Sequence, residues 1–510
     1  MKNRTVLLLL VLCCVGSPLV SQQKNVIFIL ADDLGWADTT LYGYTDLYQT
    51  PNLERLAKRG MLFNRAYSNS PLCSPTRASV LTGQLPDRHG SVSPAHHLKE
   101  ERLQPVVPNK GPVSQKAIAV KTANRLDTRF PTLGQQLKGA GYATGHFGKW
   151  HLGREPYSPL EHGFDVDIPH WPGSGPGGWF VAPWTFPNFK SNLPKEHIED
   201  RMAEEAIAWM ASQADQKPFY LNFWQFSVHA PFDAKKSLVD YYRTKIDPES
   251  AQRSPTYAAM VHSLDDAIGA LLDYVDAADI ADDTIIIFAS DNGGNAYNGI
   301  RETDMEGNEY VTAPTSGGPL RGGKATMFEG GIRIPCIVVW PGLVEPGSVS
   351  DEVIQSSDFY PTLHAQLGVQ IPKDHVVDGI DISPALLGGK LNRDAIFTYF
   401  PVRTKIPDWL PPSMSVHQGA WKLIRLFHEG EDGKHEYLLY NLEEDIGETR
   451  NLAKSHPEVV KRLDRLMEER LKASRAVRPK ANPAFDPAKY RPELRGIAPN
   501  GLKIVKERES

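Results

Sequence analysis

Two stretches of this chain are continuously apolar inside, and each stops at a pair of hard polar residues. Asn25-Val-Ile-Phe-Ile-Leu30 leads into Ala-Asp32-Asp33, and Thr284-Ile-Ile-Ile-Phe-Ala-Ser290 leads into Asp291-Asn292. Runs without polar alternation predict strands buried on both faces, the central strands of a mostly parallel sheet. Ile334-Pro-Cys-Ile-Val-Val-Trp340 reads as a further buried strand. Between the runs, residues 51–59, 131–140, 198–214 and 257–276 carry helical periodicity. The alternation predicts an α/β fold, a large mixed but mostly parallel sheet flanked by helices on both faces. From about residue 385 the pattern changes. Residues 421–427 alternate at period two, and 437–442 follow after the turn-rich Glu429-Gly-Glu-Asp-Gly433, which predicts neighbouring antiparallel strands. A helix over 457–472, capped from the Ser455 region, follows them. The organisation expected is a leader over 1–22, a large α/β domain over 23–385, a smaller α+β subdomain with an antiparallel sheet over 386–475, and a Pro-, Lys- and Arg-rich tail over 476–510 that wraps the surface or frays. Two loops, 91–126 and 165–193, are too long for mere connections and are expected to be functional.

The polar pairs carry the first chemical signal. Ligands of open α/β sheets collect at the carboxyl edge of the strands, so Asp32, Asp33, Asp291 and Asn292 are expected to meet there although distant in sequence. Oxygen donors of this kind suit one Ca²⁺, whereas zinc would call for His or Cys as well. The second signal is Cys73-Ser-Pro-Thr-Arg-Ala-Ser-Val-Leu-Thr-Gly-Gln84. Pro75 favours a first helical turn and Gly83 a stop, so Cys73 stands at the start of a short helix. Free N–H groups at such a start attract an anion, and Arg77 faces the same spot one turn on. In Gly141-Tyr-Ala-Thr-Gly-His-Phe-Gly-Lys149-Trp-His151, the lysine and imidazole are two apart and, if the stretch is extended, share one face.

Composition narrows the partners. The chain has 510 residues, 41% hydrophobic and 23% charged, an ordinary globular balance with length for more than one domain. A formal net charge of -5 gives no basic field, which argues against nucleic acid and leaves an anionic substrate to a local cluster. Met-Lys-Asn-Arg, an apolar run from Val6 to Val15 and the small residues after it read as a secretory signal peptide, leaving no transmembrane anchor once removed. Leu12 stands where a small residue would precede a lipidated Cys13, so a lipid-anchored form is the minority alternative. Of the 4 cysteines, Cys13 and Cys14 fall in that leader, which leaves Cys73 for chemistry and Cys336 for a buried strand rather than a bridge. The only N-x-S/T match is Asn3-Arg-Thr5, which favours a bacterial periplasmic or secreted enzyme over a lysosomal one.

The Cys73 and Gly141 stretches resemble the two signatures of the type I sulfatases, C-x-P-x-R with its L-T-G run and G-Y-x-T-x-x-x-G-K-W-H. That family is the arylsulfatase-like branch of the alkaline phosphatase superfamily. Ile29-Leu-Ala-Asp-Asp33, Ser227-Val-His229-Ala-Pro, Ser290-Asp-Asn-Gly-Gly294, Gly322-Gly-Lys324 with Glu329-Gly-Gly, Tyr440-Asn-Leu and Asn451-Leu-Ala extend the resemblance over most of the chain. It implies an alkaline phosphatase-like fold with a smaller C-terminal domain. It also implies one Ca²⁺ held by Asp32, Asp33, Asp291 and Asn292, with Cys73 completing the shell after a formylglycine-generating or equivalent maturation enzyme has oxidised it to formylglycine. By the same resemblance one hydroxyl of the hydrated aldehyde attacks sulfur, and the second then expels sulfate. Arg77 would orient the hydrate and His151 would be the base. Lys149, Lys324 and His229 would surround the sulfate, with His229 able to protonate the leaving oxygen.

The expected substrate is a sulfated polysaccharide or its oligosaccharides. The loop over 170–189 offers Trp171, Trp179, Trp184, Phe180, Phe186 and Phe189 as faces for sugar rings, or else as a satellite hydrophobic cluster. Two other classes compete. A phosphatase or phosphodiesterase of the same superfamily would use Ser or Thr in place of Cys73 and His-rich zinc sites, and a non-catalytic sulfated-glycan binder would have lost Cys73, Arg77 or His229.

Overall fold

Strands whose side chains are all taken from water must be covered on both sides, and the computed structural model is arranged around that requirement. It describes residues 23–213, 216–404, 410–494 and 503–504; the leader expected over 1–22 and most of the last stretch of the tail lie outside the described residues. Strands β1 (Asn25–Ala31), β2 (Met61–Phe63), β3 (Ala143–Gly148), β4 (Val166–Ile168), β5 (Phe219–Trp224), β6 (Thr284–Ser290), β7 (Cys336–Val339) and β8 (Ser348–Ser350) form one sheet in the order β8-β2-β7-β6-β1-β5-β3-β4. The run from β6 to β4 is parallel, and β7 lies antiparallel to β6 and β2.

Successive residues of β1 feed opposite cores, as a two-residue period requires. Ile27 and Ile29 join Phe223 and Phe288 under the helices α1 (Pro51–Arg59), α3 (Ile198–Gln213) and α4 (Pro255–Ala277). Val26 and Phe28 join Tyr220 and Ile287 under α2 (Cys73–Thr82) and α5 (Phe359–Leu367) on the other face. The fold is therefore the expected α/β sandwich. The C-terminal part builds its own antiparallel sheet from β9 (Ile396–Phe400), β10 (Ser413–Gln418), β11 (Trp421–Leu426) and β12 (Glu436–Asn441). Met414, Val416, Leu423 and Leu439 of this sheet pack on Leu463, Met467 and Leu471 of α6 (Pro457–Ala473).

Two expectations change. Ser455 does not cap α6: His456 is the N-cap, without a side-chain cap bond, and Pro457 starts the helix, its missing N–H removing one donor a cap would satisfy. The loop expected over 165–193 begins as β4, an edge strand of the main sheet. Its Phe180, Trp184 and Phe186 are core residues, and Trp184 stacks on Phe189 at 5.9 Å. The first part of the tail lies along the body, with Lys480–Ala481 paired antiparallel to Ala117–Ile118. Cys73 and Cys336 are both free and buried. Among the described residues no helix is long and apolar enough to cross a membrane.

A buried charge network ties the C-terminal sheet to the segment at Glu329. Glu329 Oε1 accepts from His417 Nε2 and Lys422 Nζ, both at 3.0 Å, and its Oε2 accepts from Tyr67 Oη at 2.9 Å. Lys422 Nζ also lies 2.8 Å from Glu448, whose other oxygen accepts from the Glu329 backbone N–H at 2.6 Å. Lys422 and both carboxylates are removed from water, and beyond His417 only Arg333, 3.9 Å from Glu329 Oε2, offers a further cation, so taking away the lysine strands buried negative charge. Lys422→Met is expected to lower stability by about 3–5 kcal/mol. The midpoint of urea unfolding measures it, and an unchanged midpoint would contradict the network's role.

Candidate active site

The register of the central strands assembles the site. Ala31 pairs with Ser290, and Leu30 and Gly148 both pair with Trp224, so β1, β6, β5 and β3 end at one level. Beyond that edge Asp291 N donates to Ala31 O at 3.1 Å, Asp32 N to Ser227 O at 2.9 Å and Lys149 N to Trp224 O at 2.7 Å. A Cβ on Gly148, whose φ is +109°, would lie 2.0 Å from Trp224 O, so only glycine lets the chain turn out there. Gly293, just after Asn292, sits where a Cβ would lie 1.8 Å from Gly330 O, and its N–H donates to Gly331 O at 3.0 Å. The segment that follows Glu329 thus braces the metal-candidate loop.

Cys73 is the first residue of α2, only 1% exposed, with Pro75 in the first turn. Burial pushes its thiol up to about 11 against the pull of Lys149 and Lys324, so at neutral pH it is a protonated thiol and a poor nucleophile. One turn on, Arg77 is wholly buried. Its Nε donates to Asp291 Oδ2 at 2.9 Å, its Nη1 to Lys149 O at 2.6 Å, and its Nη2 lies 3.7 Å from Asp32 Oδ1. Lys149 Nζ is 2.5 Å from Asp32 Oδ2, and Lys324 Nζ is 2.5 Å from Asp33 Oδ2. Asp33 Oδ1 accepts from Asn292 Nδ2 at 2.9 Å, and Asp291 Oδ1 from Asp33 N at 3.1 Å. Three carboxylates and three cations thus interleave at one buried point.

The electrostatics follow from that crowding. Burial raises Asp291 to about 6, with the neighbouring Asp32 adding to it. Burial also raises Asp32, opposed by Lys149. For Asp33 burial acts upward too, yet Lys324 and His229 win and hold it below the usual carboxylate range. Asp32 Oδ1 and Asn292 Oδ1 are buried without a hydrogen-bond partner. Ligand atoms of Asp32, Asp33, Cys73 and His229 all lie within 4.8 Å of one another. Two orphaned oxygens inside a carboxylate cluster fit a hard divalent cation.

Both histidines expected at the site are there, differently held. His229 Nδ1 lies 2.5 Å from Ala230 O, a carbonyl that only accepts, so that nitrogen carries the proton and Nε2, 3.8 Å from Asp33 Oδ2, is free to act. Burial and Lys324 lower its pKa to about 3, so the resting ring is neutral. Lys149 and His151 do not share a face through an extended stretch, because His151 has φ 53° and the strand has already ended at Gly148. His151 reaches the site otherwise: Ser74 Oγ at the start of α2 donates to His151 O at 2.7 Å. Its Nδ1 is buried without a partner, while its Nε2 lies 3.2 Å from His97 Nδ1.

Two contributors escaped the sequence reading. His97 orients the His151 ring, and its only signal was the pair His96-His97 inside a long loop. Glu199, in the first turn of α3, accepts from Phe226 N at 2.9 Å and Ser227 N at 2.7 Å, and so fixes the turn that carries His229. An acidic residue at a helix start reads only as dipole complement, so nothing marked it.

Residues 24–369 match the family model described as Sulfatase, and residues 323–476 match the model described as N-sulphoglucosamine sulphohydrolase, C-terminal. Human N-acetylgalactosamine-6-sulfatase is 33% identical over 407 residues, 75% of this chain and 69% of that protein. Human arylsulfatase A is 30% identical over 496 residues, 88% of this chain and 87% of its own. The crystal structure of Ps i-CgsB superimposes with a TM-score of 0.70 at 25% identity, over 88% of this chain and 93% of that one. The same protein solved in complex with k-i-k-neocarrahexaose gives a TM-score of 0.69.

The contact between His97 and His151 leads to a measurable split. His97→Ala is expected to lower kcat on a small aryl sulfate by about tenfold or more with KM nearly unchanged. His97→Gln, which can still hydrogen-bond to His151 Nε2, should recover most of the loss. An unchanged kcat in the alanine variant would remove His97 from the site.

Proposed function

The chain belongs to the type I sulfatases of the alkaline phosphatase superfamily and is a sulfuric ester hydrolase, and we propose that it removes sulfate from a sulfated polysaccharide or its oligosaccharides using residue 73 as formylglycine. The observation that carries this reading is the helix start at Cys73 set against Asp32, Asp33, Lys149 and Lys324, with a thiol too weakly acidic to serve by itself. A maturation enzyme supplies the aldehyde. One hydroxyl of its hydrate, giving its proton to a carboxylate of the cluster, attacks sulfur while the ester oxygen leaves; loss of the second hydroxyl's proton to His151 Nδ1 breaks the bond to the sulfate oxygen, releases sulfate and restores the aldehyde. Arg77 orients residue 73 from one turn along the helix. Lys149 and Lys324 turn from their carboxylates toward the sulfate oxygens.

Asp32, Asp33, Asp291 and Asn292 would hold the Ca²⁺, with residue 73 beside them. When bound, the cation supplies positive charge against a sulfate oxygen. His229 Nε2 protonates the leaving oxygen. Its ring is neutral at rest because burial and then Lys324 and Lys149 disfavour its charge, and an arriving sulfate monoester offsets those cations, which favours protonation once substrate is bound. The sugar character of the substrate is supported by the names of relatives, an N-acetylgalactosamine-6-sulfatase and a homologue that binds a neocarrahexaose. The leader read over 1–22 supports export to the periplasm or the medium.

Three experiments test the reading. Mass spectrometry of the peptide containing Cys73, from a host with the maturation system, should find the aldehyde. An active preparation carrying only thiol at that position would overturn the mechanism. Exhaustive chelation should abolish turnover, and Ca²⁺ should restore it while raising the melting temperature. His229→Ala should damage turnover of a sugar sulfate, whose alkoxide leaves poorly, more than that of an activated aryl sulfate, by about a hundredfold or more. Equal losses on the two would remove the acid role.

A further inference from the structure

Near the catalytic cluster lies an open hollow of about 220 Å³, lined among others by Trp150, Arg154, Pro159, His170, Trp171 and Asn188. Two chains of contact tie it to the reaction centre. Arg154 Nη2 donates to His97 O at 2.9 Å, and His97 in turn touches His151. Trp171 Nε1 donates to Gly175 O at 2.8 Å, and a Cβ on Gly175 would lie 3.2 Å from His229 Nδ1. The pocket is thus attached to both histidines of the site.

Arg154 is the distinctive member. Its guanidinium pairs with no carboxylate among the described residues, and its Nε is buried without a hydrogen-bond partner. The two acids lining the pocket share His170, which lies 2.7 Å from Asp167 Oδ2 and 3.2 Å from Glu155, while Asp167 Oδ1 is buried without a hydrogen-bond partner. A permanent cation with an unfilled, buried donor is suited to an anion with oxygens to offer. Trp171, half-buried, adds an aromatic face of the kind that packs on the C–H side of a sugar.

We propose that this pocket is a subsite for a second anionic group, a carboxylate or a further sulfate, on the saccharide whose ester is cleaved, with Arg154 binding that group and Trp171 packing the ring that bears it. The assignment rests on the reading of the site as a saccharide sulfatase. It makes the enzyme selective for substrates charged at two places, one held at residue 73 and the other at Arg154. The loop expected to read sugar over 170–189 then does so through its first residues, His170 and Trp171, because Trp184 and its neighbours are in the core.

The test uses the mature enzyme and Arg154→Gln, which removes the charge together with the donor to His97 O. Four substrates are compared: an aryl sulfate, an oligosaccharide with one sulfate, the same with an adjoining uronate, and the same with a second sulfate. The wild type should prefer one or both doubly charged saccharides by about 10-fold to 100-fold in kcat/KM, and which of the two is favoured identifies the anion. Arg154→Gln should erase that preference through KM, costing the doubly charged saccharides far more than the aryl sulfate, and Arg154→Lys should restore part of it. A preference that survives Arg154→Gln, or an equal loss on all four substrates, would overturn the proposal; the latter would mean that Arg154 acts through His97. Turnover of the aryl sulfate alone, with every saccharide untouched, would instead overturn the saccharide reading on which it rests.

Discussion

Three carboxylates and three cations without access to water hold the working end of this protein together. Asp32, Asp33 and Asp291 face Arg77, Lys149 and Lys324, and each of these side chains is at most 6% exposed. Stripping water from an ion costs several kcal/mol even after relaxation, so no member of the set is tolerable without its partners. The six come from three strand ends, one helix and one loop. Each of those elements must therefore arrive at its place for any of the charges to be neutralised. The set is neutral as a whole, and adding a divalent cation would leave it two charges positive. That surplus equals the charge of the sulfate dianion to be released, which gives the site a reason to take up metal and product together.

The backbone around the cluster explains how the elements are kept to that tolerance. Level strand ends follow from the pairing of Ala31 with Ser290 and of Leu30 with Trp224, and the glycine at 148 permits the sharp departure that aims Lys149. On the far side the contact of Gly293 with the 330–331 backbone ties the Asp291-Asn292 loop to the residue after Glu329. Glu329 is itself held by Lys422 and His417 of the C-terminal sheet. The smaller sheet contributes none of the six charges, yet it buttresses the loop that carries Asp291.

The strands and their polar ends were legible because a doubly buried parallel strand has no polar alternation to confuse it, and the residues just beyond it have nowhere to go but the carboxyl edge. The helix at Cys73 was legible from Pro75 and Gly83. What failed were arguments from spacing where the backbone is irregular. Lys149 and His151 converge although the stretch is not extended, because His151 adopts a left-handed conformation. Trp184 looked available for sugar from composition alone, and only the packing of Phe180, Phe186 and Phe189 around it shows that it is spent on the core. Glu199 and His97 were invisible for a different reason. Their partners lie 27 and 54 positions away, and a contact of that range leaves no local pattern.

The burial of Cys73 has a consequence for the order of events in the life of the chain. Every residue of α2 is inaccessible, with β1, β5 and α5 packed over one side and the charge cluster over the other. An enzyme that must grip the Cys-Ser-Pro-Thr-Arg segment in its own cleft has no way to reach it once those layers close. The proposed oxidation of residue 73 would therefore compete with folding. Molecules that fold first would be well-formed and permanently idle, so the active fraction of a preparation would record a race run during synthesis more than the quality of the final fold.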